Sequence, residues 1–197
     1  MTTGADLPIR VLMSVLVRNL DLVGLSGPVM LRDGSAVQLR SVDVDDQGAL
    51  CGFLEGVSPD SLRRRFFGAT DLARAATSLA GHYGADDVAV VAHAASSAEI
   101  VAHAALYRIG PGRAEVAFLV TDSWQGRGLG ALLFSRLAEF ADRRGMTTLV
   151  ADVLPGNRAM IAVFERSGYP VEVRRGAHGV EVEIDVTPSA PVLARAA

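Results

Sequence analysis

Short apolar or alternating stretches in the first two thirds of the chain predict β-strands. Residues 37–42 alternate between apolar and polar side chains, and residues 88–93 and 100–107 are apolar runs joined by a short polar turn. A Gly-Pro-Gly turn then leads into residues 115–120. Strands joined by such short turns are usually antiparallel neighbours. We therefore expect the last three of these strands to be antiparallel.

Helical periodicity dominates the segment that follows. Apolar side chains such as Leu129, Leu133 and Leu137 recur on one face of residues 128–144, and Gly145 stands where it can end the helix. Shorter helices are predicted where a polar capping residue or an amphipathic pattern marks a start. They are expected over residues 45–55, after Ser58-Pro59, after Asp71, and over residues 157–167.

The chain then returns to strands. Residues 149–153 form an apolar run that predicts a buried strand, and residues 171–174 and 180–186 predict a closing hairpin. The order of elements indicates a mixed α/β (α+β) fold whose central, mostly antiparallel sheet is flanked by helices. We place this domain at residues 31–186.

The two ends of the chain differ from this domain. Residues 1–30 are interpreted as an N-terminal extension in which residues 9–23 have the periodicity of an amphipathic helix. That helix is interrupted by arginines and too short to span a bilayer, so we expect no integral membrane association and no signal peptide. Packing on the domain or on a second subunit, as in a homodimer, is the simplest use for it. Residues 187–197 are expected to be a flexible tail.

Composition narrows the classes of function. The net charge is −3 and the pI is near 5.8, which argues against nucleic acid as a partner because phosphate backbones require a basic face. The single cysteine, Cys51, cannot form an internal disulfide, and we expect a buried thiol in a reducing, cytoplasmic compartment. His93 and His103 could face each other across a hairpin, but without a third ligand a structural pair is favoured over zinc.

Three alternate glycines indicate an anion site. Gly126, Gly128 and Gly130 lie between a predicted strand and the long helix. Glycine lets the backbone take positive φ and approach a ligand closely, and the helix directs unpaired N–H groups at the same place. A pyrophosphate would fit there. A dinucleotide fingerprint is the rival interpretation, with Asp152 as the ribose-binding acid, but it needs its first glycine at the strand end and a longer series of parallel units.

The spacing Gln-x-x-Gly-x-Gly at residues 125–130 resembles the acyl-CoA-binding signature of the GNAT superfamily of N-acyltransferases. Asn157, which opens a helix ending in Gly168-Tyr169, is similar to a second landmark of that family. The resemblance covers about residues 31–186 and implies a sheet that splays at the acyl-CoA site, with acetyl-CoA as cosubstrate and no metal. The cofactor-binding residues that it implies are Phe118, Leu119, Val120, Gln125, Gly126, Arg127, Gly128, Leu129, Gly130 and Asn157.

The resemblance also implies catalytic roles. Glu115 begins the strand that runs into the glycines, where the family commonly has a general base; its rival role is a strand-edge carboxylate beside Arg113. Phe164 stands where many members have a tyrosine that protonates the departing thiolate. Either Tyr107 or water must then serve as the acid, or the thiolate leaves unprotonated, which a thiol pKa near 8.5 allows. The arginines at residues 63–65 either line the acceptor side or form a solvated helix face.

We therefore expect an acetyl-CoA-dependent N-acetyltransferase that transfers the acetyl group directly to an amine. A catalytically silent acyl-CoA sensor and an NAD(P)-binding oxidoreductase are the alternatives. Residues 31–35 and 53–67 are also similar to the GNAT domain of bacterial protein lysine acetyltransferases. That second resemblance implies a protein lysine as the acceptor, on a partner such as an acyl-CoA synthetase.

Overall fold

The computed structural model describes residues 24–81, 83–97, 99–176 and 179–187. The amphipathic helix predicted over residues 9–23 and residues 188–197 of the predicted tail lie outside these ranges. The strands of the described residues form one sheet: β1 (Gly27–Met30), β2 (Ala36–Ser41), β3 (Val88–Ala94), β4 (Ile100–Gly110), β5 (Arg113–Val120), β6 (Thr148–Val153), β7 (Val171–Arg175) and β8 (Val180–Asp185).

Five α-helices lie among the described residues. They are α1 (Gln47–Glu55), α2 (Pro59–Phe66), α3 (Leu72–Leu79), α4 (Leu129–Arg143) and α5 (Arg158–Glu165). Short 3₁₀ turns at Val44–Asp46 and Asp122–Trp124 precede α1 and the glycine-rich segment. The predicted helix over residues 45–55 thus begins as a 3₁₀ turn, and the one after Asp71 ends at Leu79.

The caps predicted from the sequence are confirmed. The Ser58 hydroxyl oxygen accepts a hydrogen bond from the Ser61 N–H at 3.3 Å, and the Asp71 carboxylate accepts one from Arg74 at 2.9 Å. Each satisfies an N–H group that its helix leaves unpaired. Local sequence chemistry therefore fixes where α2 and α3 begin.

The sheet has the order β1-β2-β3-β4-β5-β6-β8-β7. All neighbours pair antiparallel except β5 and β6, which are parallel and are connected through α4. Their pairing is limited to Arg113–Glu115 on β5 against Thr148–Val150 on β6. From Val116 onward β5 has no partner on the β6 side, so the sheet splays there, as the family resemblance implied. The predicted fold class is confirmed.

Two apolar clusters sandwich the sheet. Phe134 and Leu137 of α4 are buried on one face, while Leu50 and Leu54 of α1 are buried on the other. The side chains of β5 contribute to both clusters, because successive side chains of a strand point to opposite faces of the sheet. Burial of each such side chain stabilises the fold by about 1.5–3 kcal/mol. The two clusters together hold β4 and β5 rigidly at the centre.

Two expectations from the sequence are wrong. Cys51 is partly exposed, because only one edge of its helix face contacts the α1–α3 cluster. His93 and His103 do not face each other: a register shift after Ala92 pairs His93 with Ile100 instead. Within the described residues no group of three or more His, Cys, Asp or Glu side chains could hold a metal. Nor does the described part contain a helix long and apolar enough to cross a membrane.

Candidate active site

The glycine loop, defined here as residues 121–130, has the geometry of an anion cradle. Gly126 and Gly128 have φ of 76° and 90°, a backbone conformation that side chains resist. A Cβ atom at either position would meet no protein atom within 4 Å, so open space lies over the loop. The first hydrogen bond of α4 runs from Leu132 N–H to the Gly128 carbonyl, and no side chain caps the helix. Its first N–H groups are therefore free to bind an anion.

Gly130 has a different role from the other two glycines. Its φ is not in the left-handed region, and a Cβ built on it would lie 3.6 Å from the Val163 side chain of α5. That distance is an ordinary van der Waals contact, so the packing of α4 on α5 does not by itself require a glycine here. Leu129, the first residue of α4, is 1% exposed and anchors the loop in the core.

The Gln125 side chain braces the loop from within. Its Nε2 atom donates to the Val120 carbonyl at 3.0 Å and to the Ser61 hydroxyl at 3.2 Å. One side chain therefore joins the end of β5, the glycine loop and α2.

Asp122 makes a second connection between the loop and α2. Its carboxylate accepts hydrogen bonds from the Ser58 N–H at 2.9 Å, the Ser58 hydroxyl at 2.8 Å and the Ser61 hydroxyl at 2.9 Å. The Ser58 N–H, the largest cause, holds the pKa of Asp122 below its ordinary value. The N-terminus of α2 is thus tied to the turn that presents the glycines.

Arg127 lies at the edge of the cradle. Its guanidinium is 3.5 Å from the Asp33 carboxylate in the β1–β2 turn and 4.9 Å from the centre of the Trp124 ring. Both members of this ion pair are more than one third exposed, so the contact is weak. The position allows either a phosphate contact, as the family resemblance implies, or a solvated side chain.

Phe118, Leu119 and Val120 lie in the half of β5 that has no partner on the β6 side. The side chains of Phe118 and Leu119 are buried in opposite clusters. What these residues offer to a ligand is therefore backbone, which is what an extended amide-bearing arm pairs with.

Glu115 lies at the point where β5 and β6 begin to separate. Its register partners are Tyr107 on β4 and Val150 on β6. Arg113, which the sequence offered as its ion-pair partner, bonds instead to Glu183 at 3.0 Å. In the described ranges no hydrogen bond or salt bridge occupies the partly buried Glu115 carboxylate. Five residues of extended strand, about 17 Å, separate it from Val120 and the loop.

Tyr107 faces the same side of the sheet as Glu115. Its ring stacks on Tyr83 with centroids 5.8 Å apart. The Tyr83 hydroxyl donates to the Leu79 carbonyl at 2.7 Å, and burial, followed by the neighbouring Tyr107, raises the pKa of Tyr83. A phenol next to the candidate base is thereby held in place.

The three arginines that the sequence grouped together, Arg63, Arg64 and Arg65, differ in their surroundings. Arg63 and Arg64 bind Asp60 on the surface, but the Arg65 guanidinium interacts electrostatically with Tyr107, Glu115 and Tyr83. Helical periodicity was the available signal, since Leu62 and Phe66 flank it on the apolar face of α2.

The aromatic residues of α5 pack in the core. Phe164 is fully buried, with its ring 5.3 Å from Phe134 and 6.2 Å from Phe118 between centroids. Tyr169 lies 6.1 Å from the same Phe134 ring. Both side chains therefore contribute to core packing. Asn157 caps α5 by accepting a hydrogen bond from the Met160 N–H at 3.3 Å.

A cleft of about 520 Å³ opens on the Glu115 face beyond the splay. Phe67, 47% exposed, lines this cleft together with two carboxylates, Asp152 and Glu181, and two arginines, Arg174 and Arg175, so the charges of its lining balance. Asp152 follows Val150, the register partner of Glu115, by two residues, so its side chain points to the same face.

The comparison with known proteins identifies the family. Residues 57–169 match the model of the acetyltransferase (GNAT) family, and the chain belongs to that family. It is 34% identical over 165 residues to acetyltransferase Pat of Mycolicibacterium smegmatis, which covers 82% of this chain and 49% of that protein. The chain thus spans about half the length of this curated relative.

Solved structures agree with this assignment. The GNAT domain of S. lividans PAT matches with a TM-score of 0.73 and 35% identity, covering 82% of this chain and 97% of that one. A cAMP-binding acyltransferase from Mycobacterium smegmatis matches with a TM-score of 0.58 and 28% identity, covering 93% and 54%. The family resemblance drawn from the sequence is confirmed.

The site fits acetyl-CoA, the cosubstrate of the family. Open space over Gly126 and Gly128 suits the pyrophosphate, and the unpaired half of β5 suits the pantetheine arm. The dinucleotide alternative is not supported. Residues 121–125 separate β5 from Gly126, and the described sheet has a single parallel pair instead of a parallel series.

Proposed function

We propose that this protein is an acetyl-CoA-dependent N-acetyltransferase that transfers the acetyl group directly to an amine. The observation that supports it most strongly is the position of Glu115. This carboxylate has no protein partner in the described ranges and lies at the mouth of the splay, in line with an anion cradle at the far end of the same strand. A module that only senses acyl-CoA would not need such a group.

Acetyl-CoA supplies the acetyl group as a thioester. Glu115 accepts a proton from the acceptor nitrogen as the new N–C bond forms and the C–S bond breaks. Tyr107, or water beside it, gives a proton to the departing sulfur, so that one proton is taken and one returned. A lysine amine has a pKa near 10.4, and deprotonation at pH 7 costs about 4–5 kcal/mol. A base, or a water chain leading to one, is therefore expected, and Glu115 is the carboxylate that we assign to this role.

The cofactor is held in two ways. The N–H groups at the start of α4 and the glycine backbone bind the pyrophosphate, and the backbone of Phe118–Val120 pairs with the pantetheine amides. The Gln125 side chain acts indirectly, by fixing the loop to β5 and α2. Asn157 caps α5 and so fixes the start of the helix beside the pantetheine arm.

The acceptor that we favour is a lysine side chain on another protein in the cytoplasm, such as an acyl-CoA synthetase. The similarity of residues 31–35 and 53–67 to bacterial protein lysine acetyltransferases supports this. The cleft beside Phe67 gives a lysine a route to Glu115 from the face opposite α4.

Mass spectrometry after incubation with acetyl-CoA tests the proposal. Lysine peptides, a lysate and free small amines would be supplied in parallel. Glu115→Gln is expected to lower turnover by roughly 10²–10⁴ while acetyl-CoA affinity is retained, because it removes the base only. The loss should shrink at high pH, where the amine is already neutral.

Glu99→Gln is the matched control, since Glu99 is exposed at the β3–β4 turn. It should transfer at the wild-type rate. Binding of acetyl-CoA without acetylation of any acceptor would support a sensor and reject the enzyme. Efficient acetylation of small amines alone would reject the protein lysine.

A further inference from the structure

Phe66 and Phe67 are adjacent at the end of α2, but their rings have different surroundings. The Phe66 ring packs against the α1–α3 cluster, and the Arg65 guanidinium lies 5.1 Å from its centre. The Phe67 ring is 47% exposed and contacts no other ring and no cation within the described ranges. Core packing therefore explains the first phenylalanine but not the second.

The backbone of Phe67 has a conformation that side chains resist. Its φ is 61° and its ψ is 16°, and no other residue except glycine has a positive φ in the described part of the chain. Helices usually have glycine at this position, and here the following residue, Gly68, is a glycine whose φ is not positive. The Phe67 N–H donates to the Arg63 carbonyl at 2.9 Å and closes the last turn of α2. Strained residues of this kind are concentrated at sites that hold ligands, so Phe67 calls for a functional explanation.

The Phe67 ring lies on the cleft that leads to the candidate base. Asp152 lines this cleft together with Phe67. It stands on β6 two residues, about 7 Å, after Val150, the register partner of Glu115, and on the same face of the sheet. Among the described residues, none of the glycine loop lines the cleft. The ring therefore stands on the acceptor side of the site.

The charges of the cleft give it no preference between acceptors. Its two carboxylates, Asp152 and Glu181, are balanced by two arginines. One of these, Arg174, is already 2.9 Å from the Glu172 carboxylate. An apolar contact must then distinguish one amine from another. Lysine carries its nitrogen on an apolar four-carbon stem, and an exposed aromatic ring offers a broad apolar surface to such a stem.

We propose that Phe67 is the residue that selects the acceptor: its ring covers the apolar stem of an incoming lysine while the lysine nitrogen reaches Glu115. The inference rests on the proposed function, because it concerns the acceptor of that same site. The left-handed conformation turns the chain at the end of α2 and presents the ring to the cleft. An amine on a shorter stem covers less of the ring and should bind more weakly.

Steady-state kinetics with a lysine peptide test this role. Phe67→Gly removes the ring and relieves the backbone strain. It should raise the KM for the peptide about tenfold, with kcat within about twofold of wild type and the KM for acetyl-CoA unchanged. Phe67→Ala removes the ring but keeps the strain, and should raise the KM equally. Phe67→Tyr keeps an aromatic ring and should restore the wild-type KM.

Ile109→Ala is the matched control, because it removes an apolar side chain that is 52% exposed but lies outside the cleft. It should leave the KM for the peptide unchanged. If Phe67→Gly has the wild-type KM for the peptide, or lowers kcat alone, the proposal is overturned.

Peptides with different stem lengths isolate the contact with the ring. Ornithine and diaminobutyrate carry the same amine on stems one and two methylenes shorter than that of lysine. In the wild type each lost methylene should raise the KM about fourfold, and in Phe67→Gly the rise should be much smaller. A shorter stem also moves the nitrogen away from Glu115, but equally in both proteins, so the ratio of the two effects reports the ring. An equal dependence on stem length in both proteins contradicts the proposal.

Calorimetric titration of the same peptides, with CoA present, measures binding without transfer. If the lysine peptide binds and Phe67→Gly weakens that binding while no acetyl group is transferred, the proposed function alone is rejected. If acetyl transfer to lysine occurs and Phe67→Gly binds the peptide as tightly as wild type, the inference alone is rejected.

Discussion

The glycine loop follows the half of β5 that has no partner on the β6 side, and helix α2 is hydrogen-bonded to that loop. The two regions are built in opposite ways. The loop offers backbone: positive φ at Gly126 and Gly128 and the unpaired N–H groups of α4. Helix α2 offers side chains, Ser58 at its cap and Ser61 in its first turn, which bond to Asp122 and Gln125 of the loop. A backbone site depends on local conformation, whereas a side-chain site depends on how separate elements pack.

This difference predicts different responses to substitution. The loop tolerates changes of side chain at Arg127 but no added Cβ at the two positive-φ glycines. The α2 side tolerates changes at Arg63 but not at the two serines that bond to the loop. The hydrogen bonds of Asp122 and Gln125 to α2 join the two regions, so each is expected to influence the other.

The largest effect is expected from Gly128→Val. Its φ of 90° opposes a β-branched side chain, and the Cβ would enter the open space over the loop. Strain should lower the free energy of unfolding by about 1–2 kcal/mol. Loss of phosphate contacts at about 1.5–3 kcal/mol each should weaken acetyl-CoA binding by roughly 100-fold or more. Calorimetric titration with acetyl-CoA measures it.

Gly145→Val separates strain from the cradle. Gly145 follows the other end of α4, with φ of 67° and nothing within 4 Å of a Cβ. It should share the loss of stability and keep the affinity. Equal acetyl-CoA binding by the two variants would refute the cradle.

The loop could be predicted from the sequence because its information is local. Three glycines between a strand and a helix specify the conformation within ten residues, and the helix caps at Ser58 and Asp71 are equally local. The short turns between successive strands likewise predicted the antiparallel arrangement of β3, β4 and β5.

Arg65 and the bond between Ser58 and Asp122 could not be predicted in this way. Ser58 and Asp122 are 64 positions apart, and only the packing of α2 on β5 brings them together. To predict the orientation of Arg65, one has to know which face of α2 points toward the sheet. The spacing of Leu62 and Phe66 could have indicated that face. The pairing of His93 shows the same limit, since the β3–β4 turn sets the register of the hairpin and pairs His93 with Ile100 and His103 with Val91.

An intermediate effect is expected where the two regions meet. Asp122→Ala removes the acceptor of two Ser58 donors and of the Ser61 hydroxyl. We expect kcat/KM for the acceptor to fall about tenfold, equivalent to 1.4 kcal/mol. In the wild type, bound CoA is expected to tighten acceptor binding through these hydrogen bonds, and Asp122→Ala should abolish that effect. A peptide titration with and without CoA measures it. Asp71→Ala, which removes a similar exposed cap from α3, should lose stability but keep the coupling.

The same carboxylate should give a pH-dependent stability. Because the folded-state pKa of Asp122 is lowered, its stabilisation is present above the unfolded-state pKa of about 4 and is lost as pH falls through the folded value. The difference in unfolding free energy between wild type and Asp122→Ala, at most about 1 kcal/mol for so exposed a group, should thus vanish in acid. A difference that stays constant from pH 7 to pH 2 would exclude a role for the charge.

The smallest effect is expected from Arg127→Gln. The Arg127–Asp33 pair is long and exposed, so the guanidinium can leave Asp33 for a phosphate at little cost. Its loss should weaken acetyl-CoA binding only several-fold, and less so at high salt, where exposed charges are screened. Asp33→Asn removes the competing carboxylate and should leave binding unchanged or slightly tighter. If Arg127→Gln binds as well as wild type at low salt, Arg127 is a solvated side chain, and the cradle consists of backbone alone.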